Sequence, residues 1–477
     1  MRLSRFMAFV VLTGIAIRLL VGAVFSYPYD FHSWPLIISN FEAGNGLYGT
    51  AGYNYAPPWG YVLGVFSVFA EHLGVAEFGV RPVGFLFFED SRWILSGFAT
   101  SVGFNVAYEV MLMLFDIAMS YLLYWAVMDR TGDICRAEKA FAMWFLCPFV
   151  IAVSCVGGMF DCLSALLTLL CLVFAVRGRY VLAGSMIGVA ALLKLFPAFL
   201  VFILIGYVVW RSEGRKEAAV RVVRSAAGAI GAVVLLLLPQ ILDGTLPECF
   251  AFITSRAGGG FGSGTGMIES LGVVAIYVAI LIVSVALGIM MARYRGEGGE
   301  TVFLRLFCLN VAVLFLCPST PQYILLLAPF LVLLSVLSDR RYLVPYAALC
   351  AGTTMFACAT IIPSMMSAAV FTDLVDSSWL ASISEWSFDS LSPYLYYGGG
   401  ILQYIGVLLV LFTYWKADWG RVRVSSSDVR WYGTCRIFPG QDKTHYKSGR
   451  IRSPRWEQRR TEASSTARGC PMCSGAS

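Results

Sequence analysis

Charge is scarce in this chain. Only 13% of its 477 residues are Asp, Glu, Lys or Arg, and three are His. A soluble domain carries roughly 25% charged residues, so this polypeptide lacks the polar surface to cover a water-exposed fold. Its net charge of +6 gives no reason to invoke nucleic acid, because residues 416–477 alone hold thirteen Lys or Arg against five Asp or Glu. Such a segment reads as a basic, disordered cytoplasmic tail able to meet anionic lipid headgroups, at about 1 kcal/mol per basic residue near the surface. A disulfide framework is lacking too. Of thirteen cysteines, Cys147, Cys155, Cys162, Cys171, Cys308, Cys317, Cys350 and Cys358 lie in or beside apolar segments, where they act as small hydrophobes. Cys249 is alone in its loop. Cys470 and Cys473 have CxxC spacing, but no second pair accompanies them as zinc requires, nor the βαβ context of a redox motif.

What the chain has in abundance is apolar length. Hydrophobic residues make up 58% and the mean hydropathy is +0.74. Residues 6–26, 226–242, 268–291 and 342–362 approach or exceed the ~18–20 apolar residues that cross a bilayer. The expected fold is an all-α polytopic membrane protein. Residues 6–26 are longer than a signal-peptide core and end in Tyr27-Pro28-Tyr29, so they read as a retained first span.

Basic residues sort the loops. Arg2/Arg5, Arg130/Arg136/Lys139, Arg177/Arg179, Arg211 to Arg224, Arg293/Arg295, Arg340/Arg341 and the tail mark cytoplasmic segments by the positive-inside rule. Residues 27–58, 157–161, 243–267, 318–322 and 363–397 are poor in Lys and Arg and are expected to face outward. The stretch between Arg179 and Arg211 begins and ends inside, so it must be a hairpin. Its turn falls at Lys194-Leu195-Phe196-Pro197, where proline ends a helix. Residues 58–70 are too short to count as a span without placing Arg130, Arg136 and Lys139 outside. The pattern therefore predicts about twelve transmembrane helices with both termini cytoplasmic. Residues 1–415 form the membrane domain, with outer loops at 27–103, 243–267 and 363–398. The first of these carries short interfacial helices.

This topology gathers Asp30, His32, Glu42, Asp161, Lys194, Asp243, Glu248, Arg256, Glu269, Gln322 and Tyr323 at the outer face. Asp30 stands out: it follows the first span directly, is ringed by Tyr27, Tyr29, Phe31 and Trp34, and precedes a loop without Lys or Arg. A charge so close to hydrocarbon is by default a functional candidate, although Asp is also a favoured N-cap residue for a helix beginning near Ser33. Asp161 has the same alternative at its own helix, and Lys194 can snorkel to a headgroup. Glu109 and Asp116, inside the second span, are expected to pair within the bundle. The glycines at 258–260, 262, 264 and 266 suit either a lid or a linker.

Four segments carry a resemblance. They are Tyr29-Asp30-Phe31-His32 with Tyr53-Asn54-Tyr55-Ala56-Pro57-Pro58-Trp59; Cys147-Pro148-Phe149 through Gly157-Gly158-Met159-Phe160-Asp161; Ala183-Gly184 through Gly188 to Lys194-Leu195-Phe196-Pro197; and Pro321-Gln322-Tyr323 with Pro329. In this order and spacing, over about two-thirds of the chain, the sequence resembles the GT-C glycosyltransferases, specifically polyprenyl-phosphate-sugar-dependent enzymes related to the glycosylphosphatidylinositol mannosyltransferases. It departs from them in having a single Asp30 where many relatives have paired acids, and Cys147-Pro148 where Asn-Pro is common. The first departure argues against a metal-bridged site.

The resemblance implies an inverting hexosyltransferase, plausibly a mannosyltransferase, of the plasma membrane with an outward-facing site. The donor would be a polyprenyl-phosphate sugar and the acceptor a glycolipid or other glycan, amid membrane lipids, with no cofactor and no metal. Asp30 would take the acceptor's proton, and Lys194 would meet the phosphate. Asp161, His32, Tyr55, Gln322 and Tyr323 would bind substrate. A secondary transporter or lipid flippase is the alternative, to which Asp116 and Glu109 alone lend support; the halves show no inverted repeat of the kind transporters use. A structural membrane subunit leaves the Lys-free acidic loop without a purpose.

Overall fold

The computed structural model describes residues 4–24, 31, 33–48, 53, 55–72, 81–82, 98–99, 101–250, 267–315, 321–365, 382 and 386–418. Asp30, His32, most of the glycine-rich loop and residues 419–477 lie outside the described residues. Apart from a two-residue antiparallel ladder (β1 Arg81–Pro82 with β2 Phe98–Ala99), the described elements are helical.

The first helix, α1, spans Arg5–Val24. Two shorter helices, α2 (Ser33–Glu42) and α3 (Pro57–His72), occupy the first long loop, as expected. Proline at the first helical position suits α3, since its missing N–H needs no partner there. Then come α4 (Val102–Thr131) and α5 (Ile134–Phe145). Ser101 opens α4 by accepting the Phe104 N–H at 3.1 Å. Gly132 closes it in the left-handed region, φ 65°, with its N–H bonded to the Met128 carbonyl. Asp133 then caps α5 by accepting from the Arg136 N–H. Both orphaned helix ends are therefore satisfied within three residues.

Beyond α5 the chain breaks at Cys147-Pro148 and winds through a wide π-type turn, Ile151–Val156. It continues into α6 (Asp161–Val176), α7 (Tyr180–Leu193) and α8 (Val201–Trp210). The predicted hairpin turn is present: Lys194 is extended, and a 3-10 turn, Phe196–Leu200, leads into α8. The remaining helices are α9 (Arg215–Asp243), α10 (Met267–Arg293), α11 (Gly299–Leu314), α12 (Ala328–Leu337), α13 (Leu343–Met365) and α14 (Ser392–Asp418). A 3-10 turn, Pro321–Leu326, precedes α12.

Among the described residues, twelve helical segments correspond to the expected count of about twelve spans. Seven are long and apolar enough to cross a membrane, and four, over 161–176, 180–193, 196–210 and 322–337, are apolar but shorter. The twelfth, α11, has 16 residues and carries Glu300 and Arg305 in its first turns. The chain is an all-α polytopic membrane protein.

Contacts between helix ends define two ends of the bundle. At one, Arg177 pairs with Asp129 at 3.2 Å and lies over the Trp125 ring at 4.0 Å. There too Arg130 donates to Thr301 Oγ1, and the Arg211 guanidinium donates to the Val176 carbonyl. At the other, the Tyr61 hydroxyl donates to the Leu236 carbonyl at 2.9 Å, joining α3 to the last turns of α9. Between the ends α7 and α9 touch backbone to backbone. A Cβ on Gly184 would fall 1.8 Å from the Ser225 carbonyl oxygen, so only glycine permits this approach, a common device where helices associate in lipid.

Deep in the bundle Arg18 meets Asp116, both wholly buried, at 3.0 Å. Its other nitrogen donates to the Phe145 carbonyl at 2.8 Å. Asp116 also accepts from Ser154 Oγ at 2.8 Å and Trp144 Nε1 at 3.3 Å. The internal pairing expected of Asp116 is thus found, with an arginine of the first span as partner. Glu109 is buried as well, and neither of its carboxylate oxygens has a hydrogen bond among the described residues.

Candidate functional site

The loop between the π-type turn and α6 organises the region where the resemblance places its motifs. Gly158 adopts φ +62°, and a Cβ there would fall 2.4 Å from Phe31 Cδ2. Both its backbone and its space therefore require glycine. Its carbonyl oxygen accepts from Trp34 Nε1 at 3.1 Å and from the Tyr108 hydroxyl at 2.9 Å. Helices α2 and α4 are thereby fastened to the residues leading to Asp161. Phe31 packs edge-on against Phe104 and Tyr108.

Phe160 sits at the centre of an aromatic cluster. The Trp59 indole stacks on its ring at 4.3 Å and 14°, and Tyr55 meets it edge-on at 5.0 Å. Lys194 Nζ lies 4.7 Å from the same ring's centroid, and 5.1 Å from those of Tyr55 and Tyr323. Tyr323 in turn is held edge-on by Phe196 at 4.7 Å. The ammonium is thus enclosed by three aromatic rings contributed by the start of α3, the start of α6 and the turn before α12. Cation–π contacts of this kind contribute about 0.5–2 kcal/mol each, more where water is excluded.

One carboxylate faces this ammonium. Asp161 Oδ2 stands 3.2 Å from Lys194 Nζ, with the two side chains 5% and 7% exposed. Beyond this ion pair, neither Nζ nor Oδ2 has a hydrogen-bond partner among the described residues. Trp59 Nε1 is likewise buried without one. Taking a charged pair out of water costs several kcal/mol per ion, which the mutual attraction offsets only when the remaining donors are satisfied. Here Asp161 is the one counter-charge found within 4 Å of the ammonium among the described residues. Such a group is poorly explained as a packing element, and its donors are suited to an anionic oxygen.

Of the residues singled out from sequence, Asp161, Lys194, Tyr55 and Tyr323 are brought together in this cage. Gln322 precedes Tyr323 in the same turn and is half-buried. Glu42, Asp243 and Glu248 take no part in it: Glu42 is exposed at the end of α2, and Asp243 accepts from the Thr245 hydroxyl at 2.6 Å. Trp34, Gly158 and Phe160 are named in the sequence motifs but without the contacts that tie them to Asp161 and Lys194. Sequence reasoning passed over Arg18, although an arginine within a 20-residue apolar helix is itself a signal, since charge there demands a partner.

Comparison with known proteins bears on the central part of the chain. A family model described as GPI transamidase subunit PIG-U matches residues 86–254. That span runs from before α4 to beyond the end of α9 and contains Asp116, Asp161 and Lys194. No curated protein matches the chain.

Proposed function

We propose that the chain is a membrane glycosyltransferase of the GT-C type, which moves a hexose, by resemblance mannose, from a polyprenyl-phosphate sugar to a glycolipid or other glycan on the outer side of the plasma membrane. The observation that carries this reading is the Lys194 ammonium, buried against three aromatic rings and 3.2 Å from Asp161. Aromatic faces suit the apolar faces of a sugar ring. The ammonium suits the single charge of a phosphodiester.

In this mechanism the acceptor hydroxyl attacks the anomeric carbon as the bond from that carbon to the phosphate oxygen breaks. The electron pair leaves with the lipid monophosphate, where Lys194 meets the growing charge. The hydroxyl proton passes to a carboxylate, the role assigned to Asp30. A single displacement inverts the anomeric configuration. Asp161 keeps the amine in place before the donor arrives, and Tyr55, Tyr323, Gln322 and His32 complete substrate binding.

A second reading is favoured by the match to a transamidase subunit. In it the same cage holds a glycolipid for another enzyme's chemistry, and no sugar is transferred by this chain. One experiment separates the two: purified protein in lipid nanodiscs is supplied with labelled polyprenyl-phosphate hexoses and candidate glycolipid acceptors. Transfer of label that is lost in Lys194→Met supports the glycosyltransferase. Lys194-dependent binding of glycolipid with no transfer from any donor favours the subunit reading and rejects the first.

A further inference from the structure

Two thiols lie in contact far from the cage. Cys147, at the break after α5, and Cys350, on α13, are 203 residues apart in sequence, yet their Sγ atoms are 3.4 Å from each other. That is within about 1.4 Å of bonding distance for sulfur. Cys147 is buried and Cys350 is half-buried. Both line an open groove of about 610 Å³, walled by apolar side chains including Ala142, Leu146, Ala347 and Ala351. The Tyr346 hydroxyl, which donates to the Met143 carbonyl, also reaches both thiols.

We propose that Cys147 and Cys350 are a reversible dithiol–disulfide pair, oxidised by a lipid-soluble quinone that enters through this groove. The argument rests on contact, access and medium. The sulfurs already touch, so little backbone movement separates dithiol from disulfide. The groove reaches Cys350, which is half-buried in its wall. Cys350 stands seven residues into α13, about 10 Å along its axis, within a helix apolar enough to cross a membrane. A charged oxidant such as glutathione disulfide would have to shed its hydration to arrive there, whereas a quinone is already soluble in that medium.

The step balances without another reactant. Two S–H bonds break and one S–S bond forms, and the quinone takes up two electrons and two protons to become the hydroquinone. The product ties α13 to the Cys147-Pro148 break, where the chain segment leading to Ser154, Gly158 and Asp161 begins. Oxidation would therefore fasten the base of that segment.

The test uses the full-length protein in nanodiscs, treated with a fully substituted alkyl benzoquinone, which has no open ring position for thiol addition. The expected result is a Cys147–Cys350 cross-linked peptide two hydrogens lighter than its components, reversed by dithiothreitol and absent from Cys350→Ser. Glutathione disulfide at equal concentration should produce it about tenfold more slowly or less, because exchange depends on access. A wild-type protein in which both thiols stay separately alkylable after quinone treatment overturns the proposal, as does a cross-link joining either cysteine to a different one. Equal rates with the two oxidants overturn the apolar route.

Discussion

Arg18 on α1 and Asp116 on α4 meet at 3.0 Å with neither side chain exposed at all, and side chains and a carbonyl from two later segments bond to this pair. Trp144 and Ser154 donate to the carboxylate, and the Phe145 carbonyl accepts from the guanidinium. Three consecutive stretches of chain (α4, α5 and the π-type turn) are thereby fastened to the first helix. Removing one partner strands a buried charge, which costs about 3–5 kcal/mol, whereas replacing both with apolar residues is often near neutral. Arg18→Met should lower the thermal midpoint sharply in detergent, and Arg18→Met with Asp116→Leu should recover most of the loss. Equal melting of the single and double variants would show that the pair does not hold the bundle.

Gly158→Ala should destabilise the loop before α6. The left-handed backbone costs an L-residue about 1–2 kcal/mol, and the new methyl would meet the Phe31 ring at 2.4 Å. The expected outcome is a loss of roughly 2 kcal/mol or more, partly restored by Phe31→Leu, which opens the contested space. Unfolding of the three proteins in a common detergent checks this, and an unchanged Gly158→Ala melt contradicts it.

Lys194→Met should weaken binding of a non-transferable polyprenyl-phosphate-sugar analogue by roughly 10- to 100-fold, the worth of one or two charge-assisted hydrogen bonds. Lys194→Arg keeps the charge and should lose less. Asp161→Asn leaves the ammonium without its competing carboxylate, so it should bind the analogue at least as tightly as wild type. Calorimetric titration of the three variants decides, and equal affinity in all of them removes Lys194 from the binding site.

Asp30→Ala is expected to abolish hexose transfer, by a factor of about 100 or more for loss of a general base, while membrane insertion and melting stay as in wild type. Turnover in the labelled-donor assay is the readout. Wild-type-like transfer by the purified variant would refute the assignment of Asp30 as base.

Much of this architecture was legible from hydropathy and charge alone, because lipid leaves few choices. Apolar runs became helices, Pro197 and Lys194 marked the hairpin turn, and the basic residues at 130, 177 and 211 gathered at one end of the bundle. The Lys194–Asp161 pairing was less legible: both residues were singled out for one face, but nothing in the sequence measures a 3.2 Å distance. The aromatic enclosure was harder still. Phe160 reads as one more apolar residue until the stacking of Trp59 and the approach of Tyr55 give it a position. Arg18 could have been found from charge in an apolar helix, but its partner lies 98 residues away, beyond any local pattern.

The modest length of α6 has a consequence for how anything reaches the ammonium. Its 16 residues rise about 24 Å, against about 30 Å of hydrocarbon. The helix is therefore about 6 Å shorter than the hydrocarbon layer, and under the function proposed above, with Arg177 at one interface, Asp161 and Lys194 would lie that far below the other. A sugar nucleotide arriving from bulk solution would have to burrow to that depth, whereas a headgroup tethered to a long isoprenoid tail needs only to slide in laterally.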